Sequence, residues 1–178
     1  MTDTPIVILM GGQSRRMGTD KAFVPWIGKT MLEHQIDQLS PLSNNIFLSI
    51  NETQLEKVNG NFNLIIDKYS KKGPLGGILS CLEELNRECV FVPVDMPNSK
   101  ELVKELLNNS GNHCFKTGQQ TEPLPIRISN KEISHMKSEL GNGKLSVLSY
   151  IMSGYCNFLS SNNRNLFLNV NSLQDKNI

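Results

Sequence analysis

Short apolar runs alternate with amphipathic stretches along the first 109 residues of the chain. Four runs of apolar residues, rich in β-branched and aromatic types, predict buried strands. They cover residues 6–10, 46–50, 64–66 and 89–94. Runs without polar interruptions are typical of parallel sheets, whose two faces are both covered by helices.

Between the predicted strands, apolar residues recur at helical spacing. Thr30 is placed to cap a helix that carries Met31, Leu32, Ile36 and Leu39. Two further amphipathic stretches lie near residues 78–85 and 102–107. Strands that alternate with helices predict an α/β fold with three α/β/α layers and a mostly parallel, Rossmann-like sheet.

The pattern weakens after residue 109. A strand is predicted within residues 121–129, and Pro123 and Pro125 favour an edge position for it because proline cannot donate to a sheet ladder. Residues 145–152 predict a helix and residues 166–170 a late strand, after which Ser172 is placed to cap a short terminal helix.

Length and charge narrow the function classes. The 178 residues suit one domain, and 18 Lys and Arg against 17 Asp and Glu leave a net charge of +1. This balance argues against a broad surface for nucleic acid or anionic membranes. No apolar run approaches the roughly 20 residues that span a bilayer, and no signal peptide is evident, so we expect a cytoplasmic protein. The four cysteines form no CxxC pair and are expected to be free thiols.

A glycine-rich segment directly follows the first predicted strand. Gly11 and Gly12 allow backbone N–H groups to approach an anion, and Arg15, Arg16 and Lys21 add cations that suit phosphate oxygens. The spacing matches neither the ATPase P-loop nor the dinucleotide fingerprint. A phosphate-binding loop is therefore predicted, with a solvated basic turn as the alternative.

Polar residues follow the other three predicted strands. Asp95 follows the fourth, where a carboxylate suits Mg²⁺, although it could instead cap a helix. Asn51 and Asp67 follow the second and third strands and could meet a base or ribose, although both are also common turn residues.

Two further segments could bind polar groups. The turn at residues 72–78 is rich in glycine and opens a helix, so its N–H groups could bind an anion or its glycines could serve close packing. Asn169 and Asn171 alternate along the predicted late strand and would lie on one face, able to bind a polar heterocycle or a phosphate. The alternative for Asn169 and Asn171 is that they occupy edge-strand or helix-cap positions.

The segment from Leu9 to Lys21 strongly resembles the LxGGxxxRMGxxK signature of small nucleotidyltransferases, and in particular the molybdenum cofactor guanylyltransferase family. That family usually has Ala where this chain has Met10, at a position expected to contact the nucleotide through backbone. Three further segments match its GPLxGI, PxDxP and FxNxN(T/S) motifs, at residues 73–78, 93–97 and 167–172. One departure is the stretch at residues 143–146, which holds a single cation where some relatives carry two arginines.

The resemblance implies an enzyme that transfers GMP from GTP to the phosphate of molybdopterin, with Mg²⁺ as cofactor and pyrophosphate as the leaving group. It implies a nucleotidyltransferase sheet and a single domain over residues 1–178, with a nucleotide-binding half at 1–109 and an acceptor-binding half at 110–178. Proteins of molybdenum cofactor synthesis or insertion are implied as possible partners. A cytidylyltransferase and a non-catalytic nucleotide-binding partner remain as alternatives, since the residues alone do not distinguish GTP from CTP.

The same resemblance assigns roles to particular residues. The catalytic group is Arg15, Arg16, Lys21 and Asp95, and Asp95 is also the metal ligand. The nucleotide contacts are Leu9, Met10, Gly11, Gly12, Lys21, Asn51, Asp67 and Asp95, and the acceptor contacts are Asn169 and Asn171. Ser49 is an alternative to Asn51 as the nucleotide contact of the second strand.

Overall fold

A seven-stranded sheet forms the centre of the computed structural model, which describes residues 1–10, 20–58, 60–69 and 72–170. The strands lie in the order β5-β4-β1-β6-β8-β7-β9, while β2 and β3 pair in a separate hairpin. Their bounds are β1 Ile6–Leu9, β2 Pro25–Trp26, β3 Lys29–Thr30, β4 Ile46–Ile50, β5 Asn63–Ile66, β6 Cys89–Pro93, β7 His113–Thr117, β8 Gln120–Ile128 and β9 Asn157–Ser160. In the large sheet, the pairings of β8 are antiparallel and the others are parallel.

Helices cover both faces of this sheet, so the predicted three-layer α/β/α fold is confirmed. The helices are α1 Met31–Leu39, α2 Gly73–Leu85, α3 Lys100–Leu107, α4 Ile133–Gly141 and α5 Val147–Tyr150. One apolar core packs α1 and α3 against one face, and a second packs α2, α4 and α5 against the other. Because β1 lies between β4 and β6, all four of its residues are buried, as its apolar run predicts.

Helix α1 begins at Thr30, as predicted. The Thr30 hydroxyl accepts a hydrogen bond from Glu33 N at 3.2 Å, and the Glu33 carboxylate accepts one from Thr30 N at 2.7 Å. This reciprocal capping box satisfies two donors that the first helical turn leaves open. Between β4 and β5, by contrast, the described residues form a 3₁₀ turn at Glu52–Gln54 where the alternating pattern predicts an α-helix.

The strand predicted within residues 121–129 is confirmed as β8. Its predicted edge position is wrong, because β8 lies between β6 and β7. The register of β7 against β8 passes from His113 opposite Arg127 to Phe115 opposite Glu122. Pro123 and Pro125 lie within this irregular stretch, and β8 pairs with β6 only from Ile126 onwards. A bulge of this kind lets an internal strand accommodate prolines, since no ladder donor is required of them.

The predicted late strand at residues 166–170 is also wrong. The chain forms a 3₁₀ turn at Arg164–Phe167, capped by the Asn163 side chain, and no strand follows it in the described residues. The last strand of the sheet is instead β9, which pairs with β7 and was not predicted. The predicted cap at Ser172 lies outside the described residues.

Among the residues that the structure describes, no helix is long and apolar enough to cross a membrane.

Candidate active site

The strand order reverses between β1 and β6. From β1 the sheet grows through β4 and β5 on one side, whereas the next parallel strand in sequence, β6, lies on the other side. In open α/β sheets, ligands bind beyond the carboxyl ends of the strands at such a reversal. The chain segments that follow β1 and β6 are therefore the candidate site.

Lys21 and Asp95 meet at this point. Lys21 Nζ lies 2.6 Å from Asp95 Oδ2, although 74 residues separate the two in sequence. Their side chains are 22% and 17% exposed, so the pair is accessible from the crevice but shielded from bulk water. The structure thus brings together the two residues to which the sequence assigns phosphate and metal binding.

The turn that carries Asp95 is fixed by a buried glutamine. Gln35 of α1 is fully buried, and its Nε2 donates to Pro93 O at 3.0 Å and to Met96 O at 2.7 Å. Among the described residues its Oε1 has no hydrogen-bond partner, which is costly for a buried amide. Sequence reasoning missed this residue. The available signal was a polar residue on the face of α1 that also buries Met31, Leu32 and Leu39.

The residues that follow β4 differ in their accessibility. Asn51 is partly exposed; its N donates to Gln54 Oε1 at 3.0 Å and its Oδ1 accepts from Thr53 at 2.6 Å. Ser49 is buried, and its Oγ lies beside Gly77 of α2. Of the two candidates for a nucleotide contact, Asn51 is the accessible one.

Asp67 follows β5 and is tied to α2. Its Oδ1 accepts hydrogen bonds from Tyr69 N at 2.8 Å and from Ser80 Oγ at 3.1 Å, and its backbone N donates to Ile50 O. These bonds are those of a turn residue, the alternative role that the sequence left open. The carboxylate remains partly exposed.

Leu9 and Met10 are buried in the sheet. Leu9 O accepts from Val94 N at 3.1 Å, and Met10 N donates to Ser49 O at 3.0 Å. These bonds tie the end of β1 to both neighbouring strands. Any contact with a ligand would therefore involve backbone, in agreement with the expectation for Met10.

The second glycine-rich turn serves close packing. A Cβ added at Gly76 would lie 2.9 Å from Tyr69 O, and one at Gly73, whose φ is +64°, would lie 2.8 Å from Leu145 O. A Cβ added at Gly77 would lie 3.2 Å from Ser49 Oγ. The packing alternative thus accounts for all three glycines.

The end of the described chain returns to Asp95. Val170 N donates to Asp95 O at 2.9 Å, and Asn98 Nδ2 donates to Asn165 O at 3.1 Å. Asn169 is exposed beside this contact, and its Nδ2 bonds Phe167 O at 3.3 Å. The remaining predicted site residues, which are Gly11, Gly12, Arg15, Arg16 and Asn171, lie outside the described residues.

A family model described as a MobA-like NTP transferase domain matches residues 6–148. The chain belongs to this family. It is accordingly a nucleotidyltransferase. A molybdenum cofactor guanylyltransferase from Photobacterium profundum is 30% identical over 187 residues, covering 97% of this chain and 93% of the relative. One from Syntrophotalea carbinolica is 31% identical over 183 residues, covering 95% and 87%.

Solved structures share the fold of this MobA-like domain. The molybdopterin-guanine dinucleotide biosynthesis protein A of Archaeoglobus fulgidus has a TM-score of 0.78 at 21% identity and covers 97% of this chain and 95% of its own. Rv0371C of Mycobacterium tuberculosis H37Rv, solved in complex with manganese, has a TM-score of 0.67 at 12% identity and covers 90% and 88%.

The predicted metal ligand, Asp95, is a single carboxylate. Within the described ranges, no group of three or more His, Cys, Asp or Glu could hold a metal ion. Asp95 therefore offers a single partly exposed carboxylate at a strand end. That donor set fits Mg²⁺, which takes one or two carboxylates and completes its shell with phosphate oxygens and water.

Proposed function

We propose that this nucleotidyltransferase transfers GMP from GTP to the phosphate of molybdopterin, forming molybdopterin guanine dinucleotide and releasing pyrophosphate. The observation that carries the proposal is the Lys21–Asp95 pair at the strand-order reversal, 2.6 Å apart. The choice of GTP and molybdopterin draws support from relatives named molybdenum cofactor guanylyltransferase, which match nearly the whole chain.

The reaction makes modest demands on the protein. A phosphate oxygen of the acceptor attacks the α-phosphorus of the nucleotide, a new P–O bond forms, and the bond to the pyrophosphate oxygen breaks. The attacking phosphate is already ionised, so no general base is required. Catalysis then depends on holding the two phosphates in line and neutralising their charge.

Lys21 and Asp95 divide this work. The Lys21 ammonium group presents a compact positive charge to the phosphate oxygens. Asp95 holds Lys21 in place and would hold Mg²⁺, which supplies further positive charge to those oxygens when bound. We assign Gly11, Gly12, Arg15 and Arg16 to the triphosphate as well, on the strength of their sequence motif.

The remaining assignments follow the two halves of the chain. In residues 1–109 we propose that Asn51, Asp67 and the backbone of Leu9 and Met10 contact the nucleotide. In residues 110–178 we propose that Asn169 and Asn171 contact the acceptor. Both halves belong to one domain, and proteins of molybdenum cofactor synthesis or insertion are the proposed partners.

Pyrophosphate release tests the proposal directly. The purified protein is incubated with magnesium and either GTP or CTP, with and without molybdopterin. We expect pyrophosphate only when GTP and molybdopterin are both present. Preference for CTP would replace the proposal with a cytidylyltransferase. Nucleotide binding without pyrophosphate, even with the acceptor supplied, would indicate a non-catalytic binding partner.

A further inference from the structure

Gln54 is a buried amide that bonds three separate segments beside the candidate site. It is 2% exposed. Its Nε2 donates to Met10 O at 3.2 Å and to Asp20 Oδ2 at 2.6 Å, and its Oε1 accepts from Asn51 N at 3.0 Å. One side chain therefore joins Met10, which precedes Gly11, to Asp20, which precedes Lys21, and to the turn that follows β4.

The chemistry of the partners fixes the orientation of this amide. A carbonyl and a carboxylate can only accept, so they require the NH₂ group, whereas a backbone N–H can only donate and requires the oxygen. Both hydrogens of Nε2 are used, and one meets a charged acceptor. Hydrogen bonds to charged groups are the stronger class, so the bond to Asp20 contributes most.

Asp20 connects Gln54 to the turn that begins with Lys21. Its Oδ1 accepts from Ala22 N at 3.2 Å and so caps the 3₁₀ turn Lys21–Phe23, while its Oδ2 accepts from Gln54. The capped turn begins with Lys21, whose side chain bonds Asp95. Gln54 is therefore linked to Asp20 by a hydrogen bond, and Asp20 is linked to Lys21 by the peptide bond between them.

We propose that Gln54 and Asp20 are positioning residues that hold the two ends of the glycine-rich segment together and set Lys21 opposite Asp95. Neither residue was assigned a role from the sequence. The inference deepens the proposed function and rests on it, since the segment that Gln54 brackets is the one assigned to the triphosphate. Gln54 acts through Asp20 and Met10 and is not itself assigned a contact with substrate.

The substitution Gln54→Glu tests the two hydrogen bonds that Nε2 donates, to Met10 O and to Asp20 Oδ2. It keeps an acceptor for Asn51 N but places a second carboxyl group against Asp20 Oδ2. Two adjacent carboxylates resist double ionisation, so the pair retains one proton until a raised pKa is passed. With that proton, an O–H group restores a hydrogen bond between residues 54 and 20, whereas the bond to Met10 O stays lost. The Lys21–Asp95 pair is unchanged. Glu52, Glu56 and Lys57, the exposed charged residues of the turn that carries Gln54, are unchanged as well.

We expect a pH-dependent defect in Gln54→Glu. At pH 8.5 its kcat should fall roughly 10- to 100-fold below wild type, the loss typical of a donor to a charged acceptor. As the pH is lowered to 6, the ratio of variant to wild-type kcat should rise. Gln54→Met, which has a similar shape and no donor, should show a loss that does not vary with pH. The KM for molybdopterin should stay close to wild type in both variants.

The matched control is Asn108→Asp, which makes the same change of amide to acid at an exposed residue after α3. It should match wild type at every pH. The positioning role is wrong if the Gln54→Glu ratio is flat with pH, or if Gln54→Met turns over normally. Affinity for Mg·GTP without acceptor provides a separate readout. If wild type releases no pyrophosphate, the proposed function fails, and weaker Mg·GTP binding by both Gln54 variants would still support positioning, whereas unchanged binding would overturn it.

Discussion

At the scale of single residues, the proposed chemistry depends on the Lys21–Asp95 pair. Both side chains are mostly buried and lie at the strand-order reversal, where a polyphosphate would meet a cation and a metal-binding carboxylate together. Groups that neutralise charge as it develops affect turnover more than ground-state binding. The kinetic effects of substitutions here should therefore appear mainly in kcat.

We expect Asp95→Ala to nearly abolish transfer and Lys21→Ala to lower kcat strongly, by roughly 100-fold or more. The measurement is pyrophosphate release with magnesium as the only metal. Asp3→Ala is the control, because Asp3 is exposed and precedes β1 at the opposite end of the sheet. Near-normal turnover by the Asp95 variant under these conditions would contradict the metal assignment.

We expect the cysteine thiols to react slowly in the folded protein. Cys81, Cys89 and Cys114 are buried and Cys156 is partly buried, and all four are free thiols, as predicted. Burial raises the pKa of Cys81 and of Cys89 to about 12 each. The reactive thiolate is therefore scarce below that pH.

Accordingly, iodoacetamide at pH 8 should modify Cys81 and Cys89 slowly in the native protein and rapidly in urea. Raising the pH from 8 to 9 should leave the native modification rates low. Both pH values lie well below the raised pKa of the two thiols, so the thiolate remains a small fraction. Mass spectrometry of peptides sampled over time measures these rates. Fast modification of either residue in the folded protein would show that its pKa is not raised.

At the scale of elements, local patterns predicted the helices and strands that form the nucleotide side of the sheet. The apolar run of β1 and the helix cap at Thr30 are signals contained in a few adjacent residues, and both predictions were confirmed. The Lys21–Asp95 contact was accessible to sequence reasoning because parallel strands bring their carboxyl ends to one edge.

The predictions that were wrong or missing involve contacts between residues that are distant in sequence. The prolines of β8 favoured an edge position, and nothing near them reveals the bulge that admits them to the middle of the sheet. Gln35 and Gln54 stabilise the site through backbone carbonyls that no sequence pattern identifies. Such contacts depend on tertiary packing, which overrides local preference.

Helix α2 offers a test of packing at this scale. Gly76→Ala should destabilise the fold by about 1–3 kcal/mol, because its Cβ would lie 2.9 Å from Tyr69 O. Gly141→Ala, at the end of α4, meets none of the described residues within 4 Å and should be neutral or stabilising by up to about 1 kcal/mol. Urea unfolding of both variants measures the difference. Equal stabilities would contradict the packing role of Gly76.

At the scale of the whole molecule, the two halves of the chain share their cores. The core on the α1 and α3 face includes Phe115, Phe167 and Val170, and the core on the other face includes Ile126 and Met136. Strand β6 pairs with β1 on one side and with β8 on the other. We therefore propose that residues 1–109, the predicted nucleotide-binding half, do not fold as a separate unit.

A fragment of residues 1–109 should fail to fold on its own. It would leave one edge of β6 unpaired and expose apolar residues of both cores, which favours aggregation. We expect no cooperative urea transition in this fragment, whereas the full chain should show one. Circular dichroism during the titration makes the comparison. A cooperative transition in the fragment would show that residues 1–109 form an independent domain.

The hydrogen bond from Val170 N to Asp95 O has a consequence for folding of the nascent chain. The turn that carries Asp95 is synthesised well before its backbone partner, because Val170 lies 75 residues later in the sequence (170 − 95). Contacts this distant in sequence slow folding, because a long loop must close before they form. A nascent chain halted before Val170 would therefore lack this contact at the turn that carries Asp95, and the candidate site would be complete only after Val170 is made.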